Sequence, residues 1–131
     1  MNSRLPLLLN LIFGFGLLSA VSAAPLAIAQ TEIEYLLGYI EKSGCEFNRN
    51  GSWYDAKSAR AHLGRKYEFL RARDQIKTAE DFIEKAATKS SISGRAYEVR
   101  CGGETAMSNP WLRDALAHYR ANAGGELRGA P

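Results

Sequence analysis

Cys45 and Cys101 are the only thiols among the 131 residues, so a single intramolecular pairing is open to them. A bond between them closes a loop of about 57 residues and stabilises a fold by roughly 4 kcal/mol on a chain-entropy argument. It also requires alpha carbons within about 7 Å, whatever the chain does in between. A redox pair usually lies close in sequence as C-x-x-C, and a metal site needs clustered ligands; neither pattern is present. A structural Cys45–Cys101 bridge is therefore expected, provided that the chain matures in an oxidising compartment.

The N-terminus meets that condition. Met1-Asn2-Ser3-Arg4 is a short positive start, Leu5 to Leu18 is an apolar run, and Ser19-Ala20-Val21-Ser22-Ala23 is a cluster of small residues. This is the form of a secretory signal peptide over 1–23, with cleavage after Ala23. Ala27-Ile28-Ala29 offers an alternative site after residue 29. An uncleaved anchor is the rival reading, since Leu5 to Ile28 carries no charge; two glycines, two prolines and the small cluster favour cleavage. The expected product is a periplasmic protein with no membrane span after cleavage. With 46% hydrophobic and 24% charged residues, the composition excludes low-complexity disorder, collagen and a polytopic membrane protein.

The remainder reads as one domain over 30–120, followed by a flexible tail over 121–131. Thr31-Glu32-Ile33-Glu34 has the form of a capping box, and Ile33, Leu36, Leu37 and Ile40 repeat at helical spacing until Ser43-Gly44. Asn50-Gly51 predicts a tight hairpin turn between Cys45–Asn48 and Trp53-Tyr54. Asp55 caps a second helix over 56–73, with Ala56, Ala59, Leu63, Tyr67 and Leu70 on one stripe. Thr78 caps a third, its inner face Ala79, Phe82, Ile83 and Ala86, ending at Ser90-Ser91-Ile92-Ser93-Gly94. Residues 95–101 alternate as a strand does, Gly102-Gly103 ends it, and Asn109-Pro110 starts a last helix. The fold class is α+β: about four helices packed on a small two- or three-stranded antiparallel sheet.

Several stretches carry a family likeness: Phe47-Asn48-Arg49-Asn50-Gly51, Ala59 with His62-Leu63 and Lys66, Thr78 to Ala86, Ser90 to Gly94, Tyr97 and Val99. Over roughly 32–120 the chain resembles the YfeK-like family, small exported proteins of Gram-negative bacteria catalogued as a domain of unknown function. The resemblance implies a periplasmic location and no particular reaction. Cysteines are not part of the pattern, so the bridge rests on its own argument.

Candidate chemistry is sparse. His62 lies about 80° from the centre of the helix-two stripe, a half-buried position. As a base it would need Ser91, Ser93 or another serine of 90–93 as nucleophile, an orienting carboxylate and an oxyanion hole, and the spacing supplies neither of the last two. A small hydrolase is thus the runner-up. Glu80 and Glu84 stand one turn apart on a face read as solvated. Two histidines 56 residues apart, His62 and His118, give no metal template, and no cofactor is implied.

The segment Ser90, Ser91, Ser93, Gly94, Arg95 and Tyr97 is the more suggestive feature. Its amides, hydroxyls and guanidinium suit an anion such as phosphate or carboxylate. Ser91 to Tyr97 also looks like the loop by which one class of periplasmic lysozyme inhibitors enters its target, although those inhibitors are β-barrels. Arg49 and Asn50 on the hairpin turn add to this surface, and the basic residues of helix two extend a positive patch. With 17 basic against 14 acidic side chains, the net charge is mild, and nucleic acid is not an expected partner in the periplasm. The reading is a non-enzymatic binding or envelope-associated module. It uses 49–54 and 90–97 for an anionic envelope component or a periplasmic protein.

Overall fold

The computed structural model describes Gly14, Gly16 and residues 23–128. The expected signal peptide lies almost wholly outside the described residues, as do the last three residues of the expected tail.

Eight elements follow in the order α1 (Ala23–Lys42), β1 (Glu46–Arg49), β2 (Ser52–Tyr54), α2 (Ala56–Arg71), α3 (Ala79–Ala86), β3 (Glu98–Cys101), β4 (Glu104–Met107) and α4 (Ser108–Arg128). The strands form one antiparallel sheet in the order β2-β1-β3-β4. The α+β class and the four helices are as the sequence predicts, but the sheet has four strands instead of two or three. Gly102 and Gly103 do not merely stop a strand. Both take positive φ and turn the chain straight into β4, where Cys101 faces Glu104 and Glu98 faces Met107.

Local signals account for most boundaries. Asn50 (φ 54°) and Gly51 (φ 85°) supply the two left-handed positions of the β1–β2 turn. The Asp55 carboxylate accepts from the Ser58 amide to start α2, and Thr78 Oγ1 accepts from the Asp81 amide to start α3. Two caps are not where the sequence puts them. Thr31 lies inside α1, its hydroxyl bonded back to the Ala27 carbonyl one turn earlier, so the helix begins eight residues sooner. Helix α3 ends before the serines, where the Ala87 amide and Thr88 Oγ1 both donate to the Ile83 carbonyl. At the other end α4 continues to Arg128, through most of the segment read as a tail. Among the described residues no helix is long and apolar enough to cross a membrane.

The core sits where the four helices meet the sheet. Ile33, Leu36 and Ile40 of α1, Phe82 and Ile83 of α3, and Leu112 of α4 are essentially without exposed surface. Phe47 and Val99 face each other across β1 and β3 and present the sheet to that core. Glu32, the one buried carboxylate of α1, is held bidentately by Arg120 of α4, at 2.6 and 2.9 Å. Arg120 also bonds Glu80 of α3, and Glu84 pairs with Arg113. The two glutamates read as a solvated face therefore tie α3 to α4.

Cys45 and Cys101 are bonded, with alpha carbons 4.6 Å apart. They stand opposite one another, one step beyond the Glu46–Arg100 pair of the β1–β3 ladder. One step beyond the Asn48–Glu98 pair, the same ladder sets Tyr97, the end of the 90–97 segment, beside Arg49 at the end of β1.

Candidate functional site

A cleft opens between the β1–β2 hairpin, α2 and the 90–97 segment. Its floor is a polar chain. Arg49, at the end of β1, donates from Nη1 to His62 Nδ1 of α2 at 2.6 Å. That bond assigns the neutral His62 ring its proton on Nε2, which then donates to the Tyr97 hydroxyl at 3.2 Å. Lys66, one turn along α2, donates from Nζ to the same hydroxyl at 3.1 Å and to the Lys89 carbonyl at 3.0 Å. The helical repeat explains why His62 and Lys66 share a face, and Tyr97 sits opposite because β3 is paired to β1.

The electrostatics of this chain follow from burial without counter-charge. Burial first, then the charges of Arg49, Lys66 and Arg65, press the His62 pKa down to about 4, so the ring is neutral at physiological pH. Burial, then Arg49, lowers that of Lys66 to about 8. Burial raises the Tyr97 phenol above its ordinary value, with Arg49 opposing. Arg49 also lies over the Tyr54 ring at 4.7 Å, and its charge beside the hydroxyl holds that phenol below the usual range.

Two other cations of α2 are accounted for. Arg60 pairs with Glu34 and Glu41, and Arg71 with Glu68. Among the described residues no carboxylate pairs with Arg49, Arg65 or Lys66, and none lines the cleft. Tyr97 is only 6% exposed, and its oxygen already accepts from His62 and from charged Lys66. Its own proton has no acceptor among the described residues. A buried donor beside uncompensated cations is an arrangement that an anion completes.

The cleft has two lobes divided by Arg49, His62 and Tyr97. The inner one, of about 220 Å³, runs against Phe47, Ala59 and Leu63. The outer one, of about 400 Å³, is walled by Asn50, Ser52, Ser91, Ile92 and Lys66.

Of the residues singled out in the sequence, Arg49, Asn50, Ser90, Ser91 and Tyr97 line the outer lobe together. Ser93, Gly94 and Arg95 do not. Ser93 Oγ bonds Asn50 Oδ1 and so links the two segments. Gly94 takes the left-handed angle (φ 72°), and the Arg95 guanidinium lies outside, against Gly51. The amides of 92–95 do not form an anion cradle. Those of Ile92 and Ser93 donate to Ser90 Oγ, Gly94 to the Ser90 carbonyl, and Arg95 to Ser93 Oγ.

For the hydrolase alternative, both ring nitrogens of His62 are engaged by Arg49 and Tyr97 and the hydroxyl oxygens of Ser90 and Ser93 bond within their own turn or to Asn50, while Ser91 lines the outer lobe together with His62. Tyr97, the last residue of the inhibitor-like segment, faces inward to the cleft floor, and the exposed tip is Ile92. Tyr54 falls within the 49–54 turn and Arg65 among the basic residues of helix two, but spacing singled out neither of them.

A family model described as "Family of unknown function (DUF5329)" matches residues 27–120, which contain every residue of the cleft. Over 57 residues the chain is 39% identical to "Uncharacterized protein YfeK" of Salmonella typhimurium, in an alignment covering 44% of this chain and 46% of that protein. The chain thus matches about half the length of this curated relative. No solved structure matches it.

Proposed function

The chain belongs to the DUF5329 family of unknown function, and from that premise we propose that it is an exported, non-enzymatic binding module. Its cleft holds an acidic group of a cell-envelope component in the periplasm. The observation that carries the reading is the Arg49–Lys66–Tyr97 constellation. Two cations without a carboxylate partner and a buried hydroxyl with a free proton converge on one opening. Holding those charges together while empty costs stability, and an anion relieves it. Arg65, which lines the inner lobe, adds a further positive charge to the cleft. A binding role is supported by His62, whose two ring nitrogens are already engaged by Arg49 and Tyr97.

The test is a titration of the mature chain with inorganic phosphate and with acetate, followed by NMR. Saturable shifts of the Tyr97 and Lys66 signals are expected, and Arg49→Met should abolish them. Shifts that are absent, or that survive this substitution, overturn the reading. Export is tested separately by fractionating cells that express the full chain. Recovery of a shortened, oxidised form in the periplasmic fraction is expected, and a full-length cytoplasmic form contradicts it.

A further inference from the structure

We infer that the ligand of this cleft is an amphipathic anion, an acidic head group carried on an aromatic ring or a short alkyl chain. The head is held by Arg49, Lys66 and Tyr97, and the apolar part fills the inner lobe. The inference rests on the anion-binding reading and adds the other half of the molecule.

The two lobes differ in the side chains that line them. The outer lobe is walled by Asn50, Ser52, Ser91 and Lys66 together with Tyr54 and the exposed Ile92, so its polar groups reach the edge of a head group. With Asn48, Ser58, Arg65 and Ser108 also in its wall, the inner lobe runs between β1 and α2 along Phe47, Ala59 and Leu63, which are 7, 8 and 5% exposed. A void against such side chains forfeits dispersion contacts on one side, so filling it with carbon is favourable. Its volume of about 220 Å³ is also adequate.

Position matters as much as size. Arg49, His62 and Tyr97 border both lobes, so a head group seated on them has the inner lobe directly behind it. A ring or chain attached to that head enters the lobe without crossing the charged chain. His62 contributes in its neutral state, since an uncharged imidazole edge between the lobes tolerates an apolar neighbour better than an imidazolium would.

The experiment compares acetate, butyrate, hexanoate and phenylacetate as ligands of the mature chain, with phenyl phosphate and inorganic phosphate beside them. Each methylene that enters the lobe should tighten binding by about fourfold, until the lobe is full. Hexanoate and phenylacetate should therefore bind roughly tenfold or more tightly than acetate, and Arg49→Met should weaken all of them. The two phosphates show whether the head is read as carboxylate or phosphate, since the ring should help both families alike. Ala59→Leu, which places carbon in the lobe, should shrink the advantage of hexanoate over acetate. If that variant does not fold, the ligand series alone decides. Affinities independent of chain length, but lost with Arg49, overturn the amphipathic ligand and leave the anion reading standing. Failure of every anion to bind overturns both.

Discussion

His62 shows how a single side chain can make the site sensitive to pH. In the unfolded chain its imidazole titrates near 6.5, whereas burial and three nearby cations bring it to about 4 in the fold. Between those values the unfolded chain takes up a proton that the folded site refuses. Stability is then fully present above about pH 6.5 and is lost as pH falls toward 4. Thermal melts of the wild type and of His62→Gln across that window should show the steeper loss in the wild type. Parallel curves would contradict the assignment. The half-buried position of His62 was legible from its angle on the helix wheel. Its partners were not, because Arg49 is 13 residues away and Tyr97 is 35, and only the β1–β3 pairing brings both to the same ring.

At the scale of elements, the two hairpins show which sequence signals hold and which mislead. Asn50-Gly51 is flanked by aromatic and β-prone residues, and it turns the chain as expected. Gly102-Gly103 is an equally good turn, yet the residues after it, Glu104 to Met107, are exposed throughout. An outward-facing edge strand has no buried face, so it shows no period-two pattern to read. Thr31 fails for a different reason, since a capping-box sequence inside a continuing helix uses its hydroxyl on the preceding turn instead. Glycine-to-alanine changes should likewise have opposite signs in different elements. At Gly51, with φ 85° and the Arg95 guanidinium 3.3 Å from the new carbon, alanine should cost about 1 kcal/mol or more. At Gly64 in α2, where nothing stands within 4 Å of that carbon, it should stabilise by about 0.5–1 kcal/mol. Denaturant midpoints of the two variants test the pair, and a shift of both in one direction would refute it.

For the whole molecule, the disulfide separates what holds the fold from what makes the site. A bridge between the two cysteines ties the strand before 49–54 to the strand that follows 90–94, so the two segments could be expected as neighbours. The β1–β3 register sets them side by side at the cleft. The chemistry of the cleft could not be read from sequence, because that depends on which cations lack partners. Arg60 and Arg65 look alike in sequence, yet only Arg60 finds glutamates, on α1, which the fold brings alongside. The bond itself lies at the start of β1, whereas Arg49 ends that strand, with the ladder pairs Phe47–Val99 and Asn48–Glu98 between them. Removing it with Cys45→Ala and Cys101→Ala together should therefore act mainly through the unfolded chain. The cost is about 4 kcal/mol, or a fall of roughly 15–30 °C in melting temperature for a domain of this size. Well below the new midpoint, phosphate should bind the double variant about as tightly as it binds the wild type, since the register that aligns Arg49, His62 and Tyr97 is held by backbone bonds and by Phe47 in the core. A calorimetric titration beside a thermal melt measures both quantities on one sample. Lost affinity in a variant that remains folded would mean that the covalent bond, not the ladder, sets the distance across the cleft.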